Sequence, residues 1–150
     1  MIRDDIQAAQ ITAMKAGDKP RTATIRLIVA AIKNRDIEAR TGKAPADDDT
    51  LVVEVLQKMV KQRRESIELY IKGNRPELAD IEAAEVAVIE DFLPTQMSEA
   101  ETTAAIEAIK VEIGAESVKD MGKVMAVLKE RHASSLDMSK ASALVKAALS

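Results

Sequence analysis

Residues 48–72 read DDTLVVEVLQKMVKQRRESIELYIK, and the period of this stretch decides the fold class. Val52, Val55, Leu56, Met59, Ile67 and Tyr70 recur at helical intervals, which puts them on one face of a helix and does not fit the alternation of a half-buried strand. One long amphipathic helix is therefore predicted over about residues 48–72. Asp47-Asp48-Asp49 stands at its start. Lacking the spaced ligands and glycine of a calcium loop, these carboxylates are expected to cap the helix and supply negative charge to its N-terminus.

Working outward, Gly73 precedes Pro76 by three residues, as Gly17 precedes Pro20 and Gly42 precedes Pro45. Glycine just past one helix and proline in the first turn of the next is the asymmetry of helix–turn–helix connections. The intervals are unequal, so this is punctuation and not a repeat. Ile25, Ile28, Val29 and Ile32 mark a helix over roughly residues 21–39. Leu78, Ile81, Val88 and Phe92 mark another from Pro76 to Phe92. Ser98-Glu99-Ala100-Glu101 is a capping box and opens a helix that ends at Gly114. Met121, Val124, Met125 and Leu128 define the next helix, and Ala141, Leu144, Val145 and Ala148 the last. The fold class is all-α. Pro94, between Phe92-Leu93 and the Ser98 cap, is the best internal boundary. It separates an N-terminal helical hairpin or bundle part, residues 1–93, from a small C-terminal helical domain, residues 94–150. The tail is short for independent stability, so its apolar faces are expected to dock on neighbouring helices.

Composition narrows the function. The 150 residues contain no cysteine, which excludes disulfides, thiol catalysis and thiolate metal sites and suits the cytosol. No apolar run approaches the length of a membrane span, and Met1-Ile2-Arg3-Asp4-Asp5 lacks the apolar run expected of a signal peptide. A single tyrosine and a single phenylalanine are too few for a base-stacking platform. The formal charge of −3 hides strong segregation. Residues 15–43 carry net +5, residues 57–75 net +4, residues 77–116 net −10 and residues 117–150 net +3. Such opposed fields either steer an anionic partner toward the basic helices or are spent where acidic and basic helices pack together.

One pair is more definite. Arg63 falls on the stripe of Met59, Ile67 and Tyr70, and Glu85 on the stripe of Ile81, Val88 and Phe92. Folding back at Gly73–Pro76 sets the two level, each about eleven residues from the turn. A charge facing a core must be paired, so an Arg63–Glu85 salt bridge of structural role is expected.

Catalytic and cofactor motifs are absent from the sequence. There is no phosphate-binding glycine loop for a nucleotide, and a single histidine cannot build a histidine-pair zinc site. His132 extends the Met121–Leu128 stripe and is expected to be half-buried. A serine nucleophile would have only His132 or a depressed lysine as its base. No catalytic residue, metal or cofactor is therefore expected. Lys58-Met59-Val60-Lys61-Gln62-Arg63-Arg64 is basic, but its cations point to different faces. Gly122, inside a helix, costs roughly 1 kcal/mol against alanine and is expected to mark a close backbone approach. Lys119 and Lys123, one turn apart, are candidate phosphate contacts.

Lys61-Gln62-Arg63-Arg64-Glu65-Ser66, Arg75-Pro76-Glu77-Leu78, Phe92-Leu93-Pro94-Thr95-Gln96-Met97-Ser98 and Asp120-Met121-Gly122-Lys123-Val124-Met125 together resemble the GatB/YqeY family in its stand-alone form, over essentially the whole chain. The tail from about Leu93 resembles the domain that closes the GatB subunit of the tRNA-dependent amidotransferase. The chain departs from the family at Ser134-Ser135, where a glycine and often a basic residue are usual. The resemblance implies a two-part helical protein tied to tRNA or to tRNA-dependent amidation. It implies Lys119, Lys123, Lys129, Arg131, Lys140 and Lys146 as phosphate contacts, acting as point charges without base readout. A non-catalytic role is expected, because the chain is too short to hold the amidase or cradle domain. Two alternatives stand beside it. One is a protein-interaction module whose acidic segment 77–116 docks a basic partner. The other is a carbon–nitrogen ligase activity with glutamine as amide donor, the label the family carries.

Overall fold

Asp47 opens the long helix as its sequence position suggests, accepting the Thr50 backbone N–H at 2.8 Å and the Thr50 hydroxyl at 2.8 Å. The computed structural model describes residues 1–45 and 47–150. Among them the chain forms α1 (Ile2–Lys15), α2 (Lys19–Thr41), α3 (Asp48–Lys72), α4 (Pro76–Glu90), α5 (Glu99–Ile113), α6 (Met121–His132) and α7 (Met138–Leu149). A single 3-10 turn, Val118–Asp120, precedes α6, and no strand occurs among the described residues. The chain groups into two compact units, Met1–Leu93 and Pro94–Ser150.

The first unit packs α1 to α4 around Ile6, Ile25, Ile28, Val52, Leu56 and Ile89. Each such side chain, fully buried, contributes roughly 1.5–3 kcal/mol against exposure. The sequence takes Gly17 as a helix end without marking the helix before it, and α1 is that helix. Its inward positions are Ile2, Ile6, Ala9 and Ala13, spaced three or four apart. Asp18 caps α2, accepting the Arg21 backbone N–H at 3.2 Å, and Pro20 sits in its first turn.

α3 and α4 fold back on each other through Gly73-Asn74-Arg75. Asn74 takes a left-handed conformation, with φ of 57°, and the Arg75 N–H reaches the Tyr70 carbonyl at 2.8 Å. Asparagine tolerates this conformation better than most residues. The turn brings Arg63 Nε to 2.9 Å from Glu85 Oε2, with side chains only 14% and 25% exposed. The predicted inner stripe of α4 needs correction. Ile81 is 57% exposed, whereas Ala79, Val86 and Ile89 are buried. The buried face runs through Ala79, Val86 and Ile89, and Ile81 is left on the flank. The helix also stops at Glu90 and not at Phe92. The residue before a proline disfavours helical backbone, so Leu93 cannot extend it toward Pro94.

The second unit closes its apolar faces on one another. Ile106 and Ile109 of α5, Val124 and Leu128 of α6, and Ala141 and Val145 of α7 form a core of its own. The capping box is complete: Ser98 Oγ accepts the Glu101 N–H at 3.1 Å and Glu101 Oε1 accepts the Ser98 N–H at 3.4 Å. Gly114 ends α5 with φ of 69°, where a side chain would be strained. The Met97 N–H donates to the Ser135 carbonyl at 2.8 Å, and Gln96 Nε2 donates to the Ser134 carbonyl at 3.0 Å. Ser134-Ser135 therefore anchors the segment that follows Pro94.

Candidate nucleic-acid interface

The six predicted phosphate contacts lie on the 3-10 turn, α6 and α7, and all six are exposed. The turn before α6 is set by Asp120, whose Oδ2 accepts the Glu116 N–H at 3.1 Å. That hydrogen bond holds the Asp120 carboxyl below the usual carboxylate range. Lys119 lies in this turn and Lys123, four residues on, in the first turn of α6. Lys123 and Lys129 are six residues apart, as are Lys140 and Lys146, which is about 120° around a helix axis. The six therefore flank the buried faces on both sides and do not form one comb.

Arg131 differs from the lysines. Its guanidinium grips Glu112 with Nη1 at 2.8 Å and Nη2 at 2.6 Å. This fork raises the Arg131 pKa and holds the Glu112 carboxyl below its ordinary value. An anion at Arg131 must therefore compete with Glu112. Other ion pairs are also built on arginine. Arg3 pairs with Asp36 and Asp48, Arg21 with Asp91, Arg63 with Glu85, Arg64 with Glu90 and Arg75 with Glu77. All these cations are arginine, whose planar fork matches a carboxylate. Lys119, Lys123, Lys129, Lys140 and Lys146 take part in none of them. Five of the eleven acidic residues of segment 77–116 are thus engaged internally, at Glu77, Glu85, Glu90, Asp91 and Glu112.

Other sequence candidates resolve as structural. Asp48 and Asp49 clip the start of α1, with Asp49 Oδ1 accepting the Ile2 N–H at 3.0 Å. Among the described residues no acidic or histidine cluster is arranged to hold a metal ion. His132 is half-buried at the end of α6. In the basic run 58–64, Arg63 and Arg64 are held by α4 carboxylates. Gly122 corrects an expectation: a Cβ built on it meets nothing within 4 Å, so no protein backbone crowds it. Its exposure leaves the first turn of α6 bare beside Lys123.

The sequence reading missed Arg3. Its guanidinium donates to Asp36 at 2.9 and 3.0 Å and to Asp48 at 3.1 and 2.7 Å, fastening α1 to α2 and α3. The hydrogen bonds from Arg3 hold the Asp36 carboxyl low, and Arg3 itself is pushed up by Asp36 and Asp48. The Ile2–Ile6–Ala9–Ala13 spacing was the available signal for the helix that carries it.

Comparison with known proteins places the chain. A family model described as Yqey-like protein matches residues 3–149. The chain belongs to the YqeY-like family. Among curated proteins it is similar to altered inheritance of mitochondria protein 41, mitochondrial, of Lachancea thermotolerans, with 35% identity over 103 residues, 67% of this chain and 54% of the relative. The protein of the same name in Eremothecium gossypii is 37% identical over 81 residues, 54% of this chain and 43% of the relative. The one in Pyrenophora tritici-repentis is 31% identical over 141 residues, 90% of this chain and 75% of the relative. This YqeY-like chain spans about half the length of the first two relatives. No helix among the described residues is long and apolar enough to cross a membrane.

Proposed function

We propose that this YqeY-like chain is a non-catalytic tRNA-binding or tRNA-amidation-associated protein, whose second unit holds the RNA by its phosphate backbone. The observation that carries this reading is the set of exposed lysines 119, 123, 129, 140 and 146, standing outside the pair that Arg131 makes with Glu112. Their disposition around α6 and α7 suits a backbone held by point charges and gives no means of reading bases. The resemblance of the tail to the domain that closes the GatB subunit of the tRNA-dependent amidotransferase suggests the RNA class. Arg131 is a weaker contact, because Glu112 already fills its fork. The rival in which segment 77–116 docks a basic partner loses five of that segment's eleven carboxylates to arginines.

Titration of labelled tRNA tests the reading. Binding is expected at micromolar protein in low salt, falling with a log–log salt slope on the order of −3.5 to −4.5 for five contacts. Lys119→Glu with Lys123→Glu should weaken it at least about tenfold. No binding at micromolar protein in low salt rejects the proposal. The ligase alternative is tested by glutamine-dependent amidation with the purified chain alone, where no turnover is expected. A cytosolic place of action belongs to the same reading. The fungal relatives carry a mitochondrial designation, and fractionation of cells expressing the tagged chain separates the two.

A further inference from the structure

α2 is amphipathic twice over. Ile25, Ile28 and Ile32 enter the core, which accounts for one face. The opposite face repeats with the alternating steps of four and three that define a heptad seam: Ala23, Leu27, Ala30, Asn34, Ile37 and Thr41. All six are exposed; Leu27 is 48% exposed and Ile37 59%. Nothing in the core requires apolar residues on this face. Beside the seam runs a ridge of Lys19, Arg26, Lys33 and Arg40, spaced every seven residues and all exposed. Successive ridge cations are about 10.5 Å apart along the axis. None of them joins the ion pairs described above. Asp36, one turn from Lys33 and Arg40, is bound by Arg3 and is also held low by the Arg40 charge, so that Arg40 is the ridge cation with an intramolecular counter-charge.

We propose that this outward face of α2 is a docking seam for an acidic amphipathic helix of another protein, one that carries Glu or Asp at the heptad position flanking its own apolar seam. The ridge supplies the charge half of such a pairing, since flanking residues set the choice of partner in coiled coils. Small Ala23 and Ala30 let the partner's backbone approach closely. Leu27 and Ile37 supply the apolar contact of the seam. A strict seven-residue spacing drifts about 20° per heptad around a straight helix, so the partner must wind left-handed, as a heptad helix does. A second copy of this chain does not fit. Antiparallel pairing sets the ridge against itself, and parallel pairing sets it against Thr24, Ala31 and Glu38, of which one alone is acidic. A polyanion such as RNA would use the ridge but gain nothing from Leu27 and Ile37. This inference is independent of the RNA reading, which concerns the second unit.

The test uses the full chain and a labelled four-heptad peptide with leucine at both seam positions and glutamate at both flanking positions. It is used at a concentration where glutamate repulsion keeps it unfolded alone. Mixing is expected to raise helical circular dichroism, with micromolar binding by fluorescence anisotropy. Arg26→Glu with Lys33→Glu should weaken binding at least about tenfold, and Leu27→Glu with Ile37→Glu likewise. All four sites are exposed, and far-UV circular dichroism of the variants checks that they fold. A peptide with lysine in place of glutamate should not bind. No binding at about 100 µM overturns the proposal. It is equally overturned if charge reversal weakens binding, Leu27→Glu with Ile37→Glu changes it less than about twofold, and an RNA oligonucleotide of equal charge competes.

Discussion

At Gly122 the backbone is helical, solvent-exposed and uncrowded, so nothing in the folded protein requires the missing Cβ. Replacement by alanine should raise stability by about 0.5–1 kcal/mol, through helix propensity and a less free unfolded chain. Thermal melting of Gly122→Ala checks this; an unchanged or lower midpoint would mean that the backbone there is constrained by something the open space does not reveal. The Arg63–Glu85 pair makes the opposite argument. Both side chains are mostly covered, so removing one partner strands the other in a poorly hydrated place. Glu85→Leu alone should cost about 2–3 kcal/mol, while Arg63→Met with Glu85→Leu should recover most of it. Denaturant midpoints of the two singles and the double give the coupling.

Among the elements, α1 depends most on charge. Arg3 forks onto Asp36 and Asp48, and the pKa of Asp36 is depressed by that contact. A depressed carboxyl contributes stability that is present above its unfolded value, near 4, and is lost as pH falls through the lower folded value. Asp47, Glu77, Glu112 and Asp120 are shifted in the same direction. Unfolding free energy should therefore hold from neutrality down to about pH 5 and fall below about pH 4. Arg3→Met should lower stability at neutral pH and flatten the acid slope; denaturant unfolding across that range measures both. The screening of a pair about one-third exposed keeps the effect small. α1 also shows where sequence stopped being enough. α3 was legible end to end because its large apolar residues mark one face and its ends carry Asp47 and Gly73. The Ser98 box was legible because capping is local. Half of the inward face of α1 is alanine, and alanine sits as well outside as inside. The same ambiguity turned the α4 face, where Ile81 outweighs Ala79 by size alone. For the candidate interface, basic residues could be read directly, but which of them stay unpaired could not. Glu112 and Arg131 are 19 residues apart, and only the packing of α5 against α6 brings them together.

For the molecule as a whole, the division at Pro94 is a statement about energy as well as geometry. Each unit has its own core, and the core residues of one do not appear in that of the other. A unit of about 60 residues buries only about 60% of the surface its unfolded chain exposes, so the second unit should be the less stable. Ile109 and Ile28 are both fully buried, and truncation of either to alanine should cost about 2–5 kcal/mol where it acts. If the units open separately, Ile109→Ala speeds amide exchange on α5, α6 and α7 and leaves α1 to α4 as protected as before. Ile28→Ala does the reverse. Exchange that rises across both units for either variant would show one cooperative transition and remove the energetic meaning of the boundary. The outcome bears on function, because a second unit that opens on its own could order on RNA without disturbing the α2 face. Bound tRNA should then raise protection in residues 94–150 while residues 1–93 keep the exchange of the free chain.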